Sequence, residues 1–126
     1  MENLKIELTK YTPEISMNAT DGIISMSGKS YPENTFEFYK PVMSWIAKYF
    51  DNTPKEKTVI NLEIIYFNSS SSKLFFDFFD LVEEASSDYD IEINWIYDEE
   101  NESALEAGED FKEDFAELNF NLVAKN

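Results

Sequence analysis

The stretch Thr58-Val-Ile-Asn-Leu-Glu-Ile-Ile-Tyr-Phe67, followed by Asn68-Ser-Ser-Ser-Ser-Lys73 and then Leu74, Phe75, Phe78, Leu81, Val82 and Ala85, decides the fold. The first ten residues are β-branched and aromatic, and apolar enough to form a strand in the middle of a sheet. The polar break at 68–72 ends that strand. The apolar residues after it recur at helical spacing, which predicts a helix from about Ser70 to Ala85. Asp90-Ile-Glu-Ile-Asn-Trp-Ile-Tyr97 then alternates apolar and polar residues and predicts another strand. Residues 58–97 thus read as strand, helix, strand.

The pattern extends outward in both directions. Residues 4–8, 14–18 and 23–27 alternate and are separated by Thr12-Pro13 and by Asn18-Ala-Thr-Asp-Gly22, which predicts an antiparallel meander. Ser30-Tyr-Pro-Glu-Asn34 reads as an exposed turn into a helix, with Asn34 and Glu37 at capping-box spacing. Phe38, Val42, Trp45, Ile46 and Tyr49 follow at helical spacing. Pro41 lies inside that pattern and either kinks the helix or opens a second helical segment. Asp51-Asn-Thr-Pro-Lys55 ends it. Asn101–Phe115, carrying Leu105, Phe111 and Phe115, predicts a third helix, and Phe120–Ala124 a last short strand. The order β-β-β-α-β-α-β-α-β implies one α/β (α+β) domain over residues 1–126, a mixed sheet covered by three helices.

Composition narrows the function. The chain has 126 residues, 43% of them hydrophobic and 16% aromatic, enough to bury a core without staples. It contains no histidine, no cysteine and no arginine; all ten cations are lysine. Serine and cysteine triads, Cys/His zinc sites and bidentate arginine clamps therefore cannot form. Neither a phosphate-binding P-loop nor a dinucleotide fingerprint is present. With 26 carboxylates in so short a chain, chance carboxylate pairs are unavoidable, so they carry little weight for glycosidase-like chemistry. Asp98–Glu102 lacks the ligand spacing of a calcium loop. The expectation is a binding protein rather than an enzyme, with no cofactor and no metal.

The net charge of −16 is uneven. Residues 1–76 hold 9 acidic residues against 8 lysines, and residues 77–126 hold 17 against 2. Such a chain repels phosphate backbones and anionic bilayers, so neither nucleic acid nor membrane is an expected partner. Met1–Lys10 lacks the pattern of a signal peptide and no apolar run could span a bilayer, which points to a cytoplasmic protein.

Four consecutive serines at a strand–helix junction are the informative feature. One serine capping the helix explains one of them, not four. Beside that plain capping role stands a functional alternative, a phosphorylation site. A phosphate there would meet the positive helix end and its amides, with Lys73 in reach from the first turn.

These segments together resemble the SiaC family of regulatory phosphoproteins. The resemblance is carried by Thr12-Pro13, Gly28, Ser30-Tyr-Pro-Glu-Asn34, Phe38-Tyr39 with Pro41 and Trp45, and Tyr66-Phe-Asn-Ser-Ser-Ser-Ser-Lys73. It continues in Trp95, Tyr97-Asp98 and Gly108-Glu-Asp110, so that it spans about residues 12–110. It implies a STAS-like fold similar to anti-sigma-factor antagonists. It also implies a partner-switching cycle, with phosphorylation by a GHKL-type kinase, reversal by a PP2C-type phosphatase, and activation of a diguanylate cyclase by the unphosphorylated form. The family's acceptor is commonly a threonine after Tyr-Phe-Asn. That position is Ser69 here, with Ser70 the second choice, and Asn68, Ser71 and Lys73 lie beside it. Tyr31, Pro32, Glu33 and Asn34 are the expected partner-binding residues. A non-phosphorylated acidic interaction protein is the competing reading, and a small carboxylate enzyme a weaker third.

Overall fold

The computed structural model describes residues 1–52 and 56–126. Six strands form one sheet in sequence order: β1 (Leu4–Ile6), β2 (Glu14–Asn18), β3 (Ile23–Ser30), β4 (Lys57–Phe67), β5 (Asp90–Asp98) and β6 (Asn119–Lys125). The pairs β1–β2 and β2–β3 are antiparallel, whereas β3–β4, β4–β5 and β5–β6 are parallel. Each parallel pair is bridged by a helix: α1 (Thr35–Asp51), α2 (Ser69–Ala85) and α3 (Glu102–Asp114). The meander and the mixed sheet are as the sequence predicts. The first strand is shorter, stopping at Ile6, and Leu8 beyond it is exposed.

Strand patterning shows that the helices cover one face of the sheet. Thr58, Ile60, Leu62 and Ile64 of β4 are buried, as are Ile91, Ile93 and Trp95 of β5. The residues between them are partly open to water. That outer face is polar, and a ladder of side-chain amides runs across it: Asn94 Nδ2 donates to Asn61 Oδ1 at 2.9 Å and Asn121 Nδ2 to Asn94 Oδ1 at 3.3 Å. Two exposed ion pairs, Lys57–Glu92 at 3.0 Å and Lys125–Glu63 at 2.6 Å, flank it. The hydrogen bonds and charges of Glu92 and Glu63 raise the pKa values of Lys57 and Lys125, and that of Glu92 is lowered, by the hydrogen bond from Asn94 first and by Lys57 next.

Alternation fails once, at the end of β4. The register with β3 shifts so that Gly28 faces Ile64 but Lys29 faces Tyr66, leaving Ile65 as the extra residue of a bulge. The bulge reverses the side chains beyond it. Tyr66 turns outward and is 55% exposed, while Phe67 turns into the core against Phe75 and Trp95. Asn68 and the helix behind it are thereby aimed over the core.

The helices hold their ends as their sequences dictate. Asn34 caps α1, accepting from the N–H of Glu37 at 3.1 Å, and Asn101 caps α3, accepting from that of Ala104 at 3.1 Å. Pro41 lies within α1, which runs unbroken to Asp51 and is closed by Asn52, so no second helical segment begins there. The remaining part of the expected helix-ending segment, residues 53–55, lies outside the described residues. On α3 the buried face is Ala104, Gly108 and Phe111, with Leu105 half-buried. Gly108 is required by its neighbour: a Cβ there would lie 2.5 Å from Trp95 Cδ1 and 2.8 Å from Leu122 Cδ2. Trp95 uses that closeness to donate from Nε1 to the carbonyl of Ala104 at 2.9 Å.

Candidate functional site

Parallel strands joined by helices place every helix N-terminus at the same edge of the sheet, beyond the strand C-termini. Ligand sites of open α/β sheets form there. The segments that the sequence singles out meet at this edge. Asn68 N–H donates to the carbonyl of Ser30 at 3.1 Å, joining the residue before α2 to the end of β3. Asn101 Nδ2 donates to the carbonyl of Ile65 at 3.1 Å, tying in the start of α3.

The four serines have four different environments. Asn68, not a serine, is the N-cap of α2: its Oδ1 accepts from the N–H of Ser71 at 2.9 Å. The expectation that one serine caps the helix is therefore corrected. An asparagine one position earlier does so, and all four serines fall inside the first turn. Ser71 points into the core and is fully buried. Its Oγ lies 2.8 Å from Ser30 Oγ, which lies 2.6 Å from Tyr39 Oη, so three buried hydroxyls from α2, β3 and α1 satisfy one another. Burial pushes the Tyr39 phenol up to about 12, with the Ser30 hydrogen bond acting in the opposite sense. Ser70 is exposed, but its Oγ is engaged with Thr35 Oγ1 at 2.8 Å and with Asn68 Oδ1 at 3.2 Å. Ser69 is exposed, and its hydroxyl makes no hydrogen bond among the described residues. It opens onto a cleft of about 820 Å³ between α2 and α3, which Ser72 and Lys73 also line.

This geometry separates the residues beside Ser69. Lys73, one turn further along α2, shares its cleft. Asn68 lies beneath it as the cap. Ser71 lies on the opposite, buried side of the helix, because a step of two residues turns an α-helix by more than half a circle.

The turn at residues 30–34 is less open than its sequence suggests. Glu33 and Asn34 are exposed, Tyr31 is half-buried, and Ser30 and Pro32 are buried. Tyr31 sits between two other tyrosines, Tyr11 at 5.3 Å and Tyr66 at 5.7 Å, both edge to face. Tyr11 and Tyr66 are more than half exposed, so they form an aromatic surface beside the turn that the strand pattern alone does not reveal. The bulge at Ile65 creates it by turning Tyr66 outward. Among the described residues, no group of three or more carboxylates is arranged to hold a metal ion, and no helix is long and apolar enough to cross a membrane.

The fold and this edge define a small α/β protein with an exposed, unbonded Ser69 hydroxyl at the start of α2, beside a buried hydroxyl network. The comparisons give that class a family. The model of the SiaC family regulatory phosphoproteins matches residues 6–125, and this chain belongs to that family. An uncharacterized protein of Pseudomonas aeruginosa strain UCBPP-PA14 is 36% identical over 115 residues, covering 90% of each chain. The crystal structure of apo-SiaC from Pseudomonas aeruginosa superposes with a TM-score of 0.87 at 32% identity, covering all of both chains. A chain in the crystal structure of the diguanylate cyclase SiaD in complex with its activator SiaC, from the same organism, gives 0.85 at 34% identity, with 96% and 97% covered. The chain is a regulatory phosphoprotein with the single-domain α/β fold of those structures.

Proposed function

We propose that this protein is a cytoplasmic, non-enzymatic switch. In this reading it binds and activates a diguanylate cyclase when unmodified and releases it when phosphorylated on Ser69. A GHKL-type kinase adds the phosphate and a PP2C-type phosphatase removes it. The observation that carries the reading is the inequality among the serines. Ser71 is buried, Ser70 is engaged by Thr35 and Asn68, and Ser69 alone of the three is exposed with an unengaged hydroxyl. A kinase needs an accessible hydroxyl, and a phosphate at this first helical position gains from the helix dipole and from Lys73. The complex of the diguanylate cyclase SiaD with its activator SiaC, to which this chain is similar, supports a cyclase as the output. Tyr31, Pro32, Glu33 and Asn34 belong to the partner face in this reading, with Pro32 supporting the others from below.

Phosphorylation with the cognate kinase, followed by intact mass and peptide mapping, tests the assignment. One phosphate on wild type, none on Ser69→Ala and one on Ser70→Ala is the expected result. Full modification of Ser69→Ala would overturn it. Affinity for the cyclase, measured on the same preparations, tests the output.

A further inference from the structure

Ser69 and Ser70 stand side by side at the start of α2, and both are exposed. Access alone therefore does not choose between them. Their surroundings differ because successive residues of a helix point about 100° apart. Ser69 faces the cleft toward α3, and Ser70 faces α1. Strands β3 and β4 are parallel, so the helices that follow them start at the same edge, and Thr35, the first residue of α1, meets Ser70 there. Thr35 is buried, and its Oγ1 lies 2.8 Å from Ser70 Oγ.

The bond between them has a direction. Asn68 Oδ1 accepts from the N–H of Ser71 at 2.9 Å, which identifies that atom as the amide oxygen. Ser70 Oγ lies 3.2 Å from the same oxygen and donates to it. A serine has one hydroxyl proton, so the proton shared by Ser70 and Thr35 comes from Thr35. Ser70 thus has its proton held by Asn68 and a lone pair held by Thr35. A phosphoacceptor needs both. In the transfer, the serine oxygen forms a bond to the γ-phosphorus of a nucleoside triphosphate and its proton passes to a base of the kinase. The bond from that phosphorus to the bridging oxygen breaks, and the nucleoside diphosphate leaves. The attacking oxygen must come within about 3–3.5 Å of the phosphorus with a lone pair aligned. At Ser70, Thr35 holds one such approach.

We propose that Thr35 is a specificity-determining residue, whose hydroxyl engages Ser70 and so confines phosphorylation to Ser69. The inference rests on the reading of Ser69 as the acceptor and names what enforces it. Asn68 does not carry the selection, because its bond to Ser70 is exposed to water and opens when a base takes the proton. The bond from Thr35 is partly buried and comes from the start of another helix, so Ser70 does not shed it by a local adjustment of its own turn.

The test uses Ser69→Ala, so that any phosphate must find another hydroxyl. Full chains carrying Ser69→Ala alone, with Thr35→Ala, and with Thr35→Ser are incubated with the cognate kinase and ATP, then followed by intact mass and peptide mapping. Ser69→Ala alone should stay unmodified over the time in which wild type is converted. Adding Thr35→Ala should place phosphate on Ser70, at a rate at least about tenfold above that of Ser69→Ala alone, the factor that one hydrogen bond is worth. Adding Thr35→Ser, which keeps a hydroxyl at the same reach, should restore the restriction. Asn34, not Thr35, caps α1, so the helix start survives either change, and backbone amide NMR of the three chains should agree outside the starts of α1 and α2. No phosphate on the Thr35→Ala chain, phosphate on Ser72 in place of Ser70, or equal modification of the Thr35→Ala and Thr35→Ser chains would overturn the inference. In each of these cases a wild-type chain mapped to Ser69 leaves the acceptor assignment standing. A wild-type chain mapped to Ser70 refutes the acceptor assignment itself, and the inference with it.

Discussion

At the scale of single residues, two positions are under unusual constraint. Tyr39 is 1% exposed, with its phenol bonded to Ser30 in the hydroxyl chain that ends at Ser71. Its pKa is raised from 10.0 to about 12, mainly by burial. The sign follows from which form the fold prefers: the neutral phenol is favoured, so its contribution to stability is complete below pH 10.0 and is lost as pH rises through about 12. Wild type should therefore lose stability across that alkaline window in urea titrations. Tyr39→Phe should be about 1 kcal/mol less stable at neutral pH, through the lost hydrogen bond, and show a shallower loss in the same window. Gly108 is the second constrained position. With Trp95 and Leu122 so close to its Cα, Gly108→Ala should cost about 2 kcal/mol of overpacking, read as a lower urea midpoint. The weakened Trp95 donor bond should also appear as a changed indole N–H resonance.

At the scale of elements, much of the architecture can be read from the sequence because each period points to one structure. The strand of 58–67, the helix after it, and the cap at Asn34 follow from local pattern alone. The sheet's mixed character follows from the order of elements, since a meander gives antiparallel neighbours and helical crossovers give parallel ones. The bulge at Ile65 is not legible, because a run of Ile-Ile-Tyr-Phe is apolar whichever way its side chains point. With it goes the tyrosine surface of Tyr11, Tyr31 and Tyr66, which depends on contacts between residues far apart in sequence. The serine run is legible as unusual, but the separate environments of Ser69, Ser70 and Ser71 depend on partners in β3 and α1. The cap is a matter of one residue: Asn68 and the serines are all good capping residues, and only the backbone path selects among them. Asn68→Ala should accordingly cost about 1 kcal/mol of global stability by denaturant titration, and Ser69→Ala much less, since Ser69 caps nothing. Equal losses would show that the hydroxyl at 69 has a structural partner.

At the scale of the whole molecule, the question is whether a phosphate at Ser69 reshapes the fold or acts where it stands. The face of α2 turned toward the sheet argues for the second. Phe75, Phe78, Phe79 and Val82 are each at most 1% exposed, and Phe79 packs against Phe111, Phe115 and Phe120 from α3, the end of that helix and β6. Displacing α2 would open that cluster, and each large side chain drawn back into water costs about 2 kcal/mol. The N-terminus of α2 is held as well, through Ser71 to Ser30 and through Ser70 to Thr35. A phosphate on Ser69 breaks none of these bonds, because the Ser69 hydroxyl takes part in none of them. It adds charge of about −1.5 to −2 at a helix end already suited to an anion. The framework therefore has no reason to reorganise, and the dianion acts on whatever surface approaches. Desolvating it against an apolar or acidic partner, with loss of a buried hydrogen bond, could cost several kcal/mol, and each 1.4 kcal/mol is about tenfold in affinity. Ser69→Asp should imitate the phosphate only in part, having less charge and fewer acceptor oxygens. Glu33→Lys, on the exposed part of the neighbouring turn, should weaken partner binding while leaving the melting temperature nearly unchanged. Backbone amide NMR of the free and phosphorylated chain decides between local and global action. Changes confined to Asn68–Phe75 and the segments bonded to it, together with loss of cyclase binding, are the expected outcome. Changes spread through β1, β2 and the C-terminal half of α1 would mean that phosphorylation switches the whole fold between two packings.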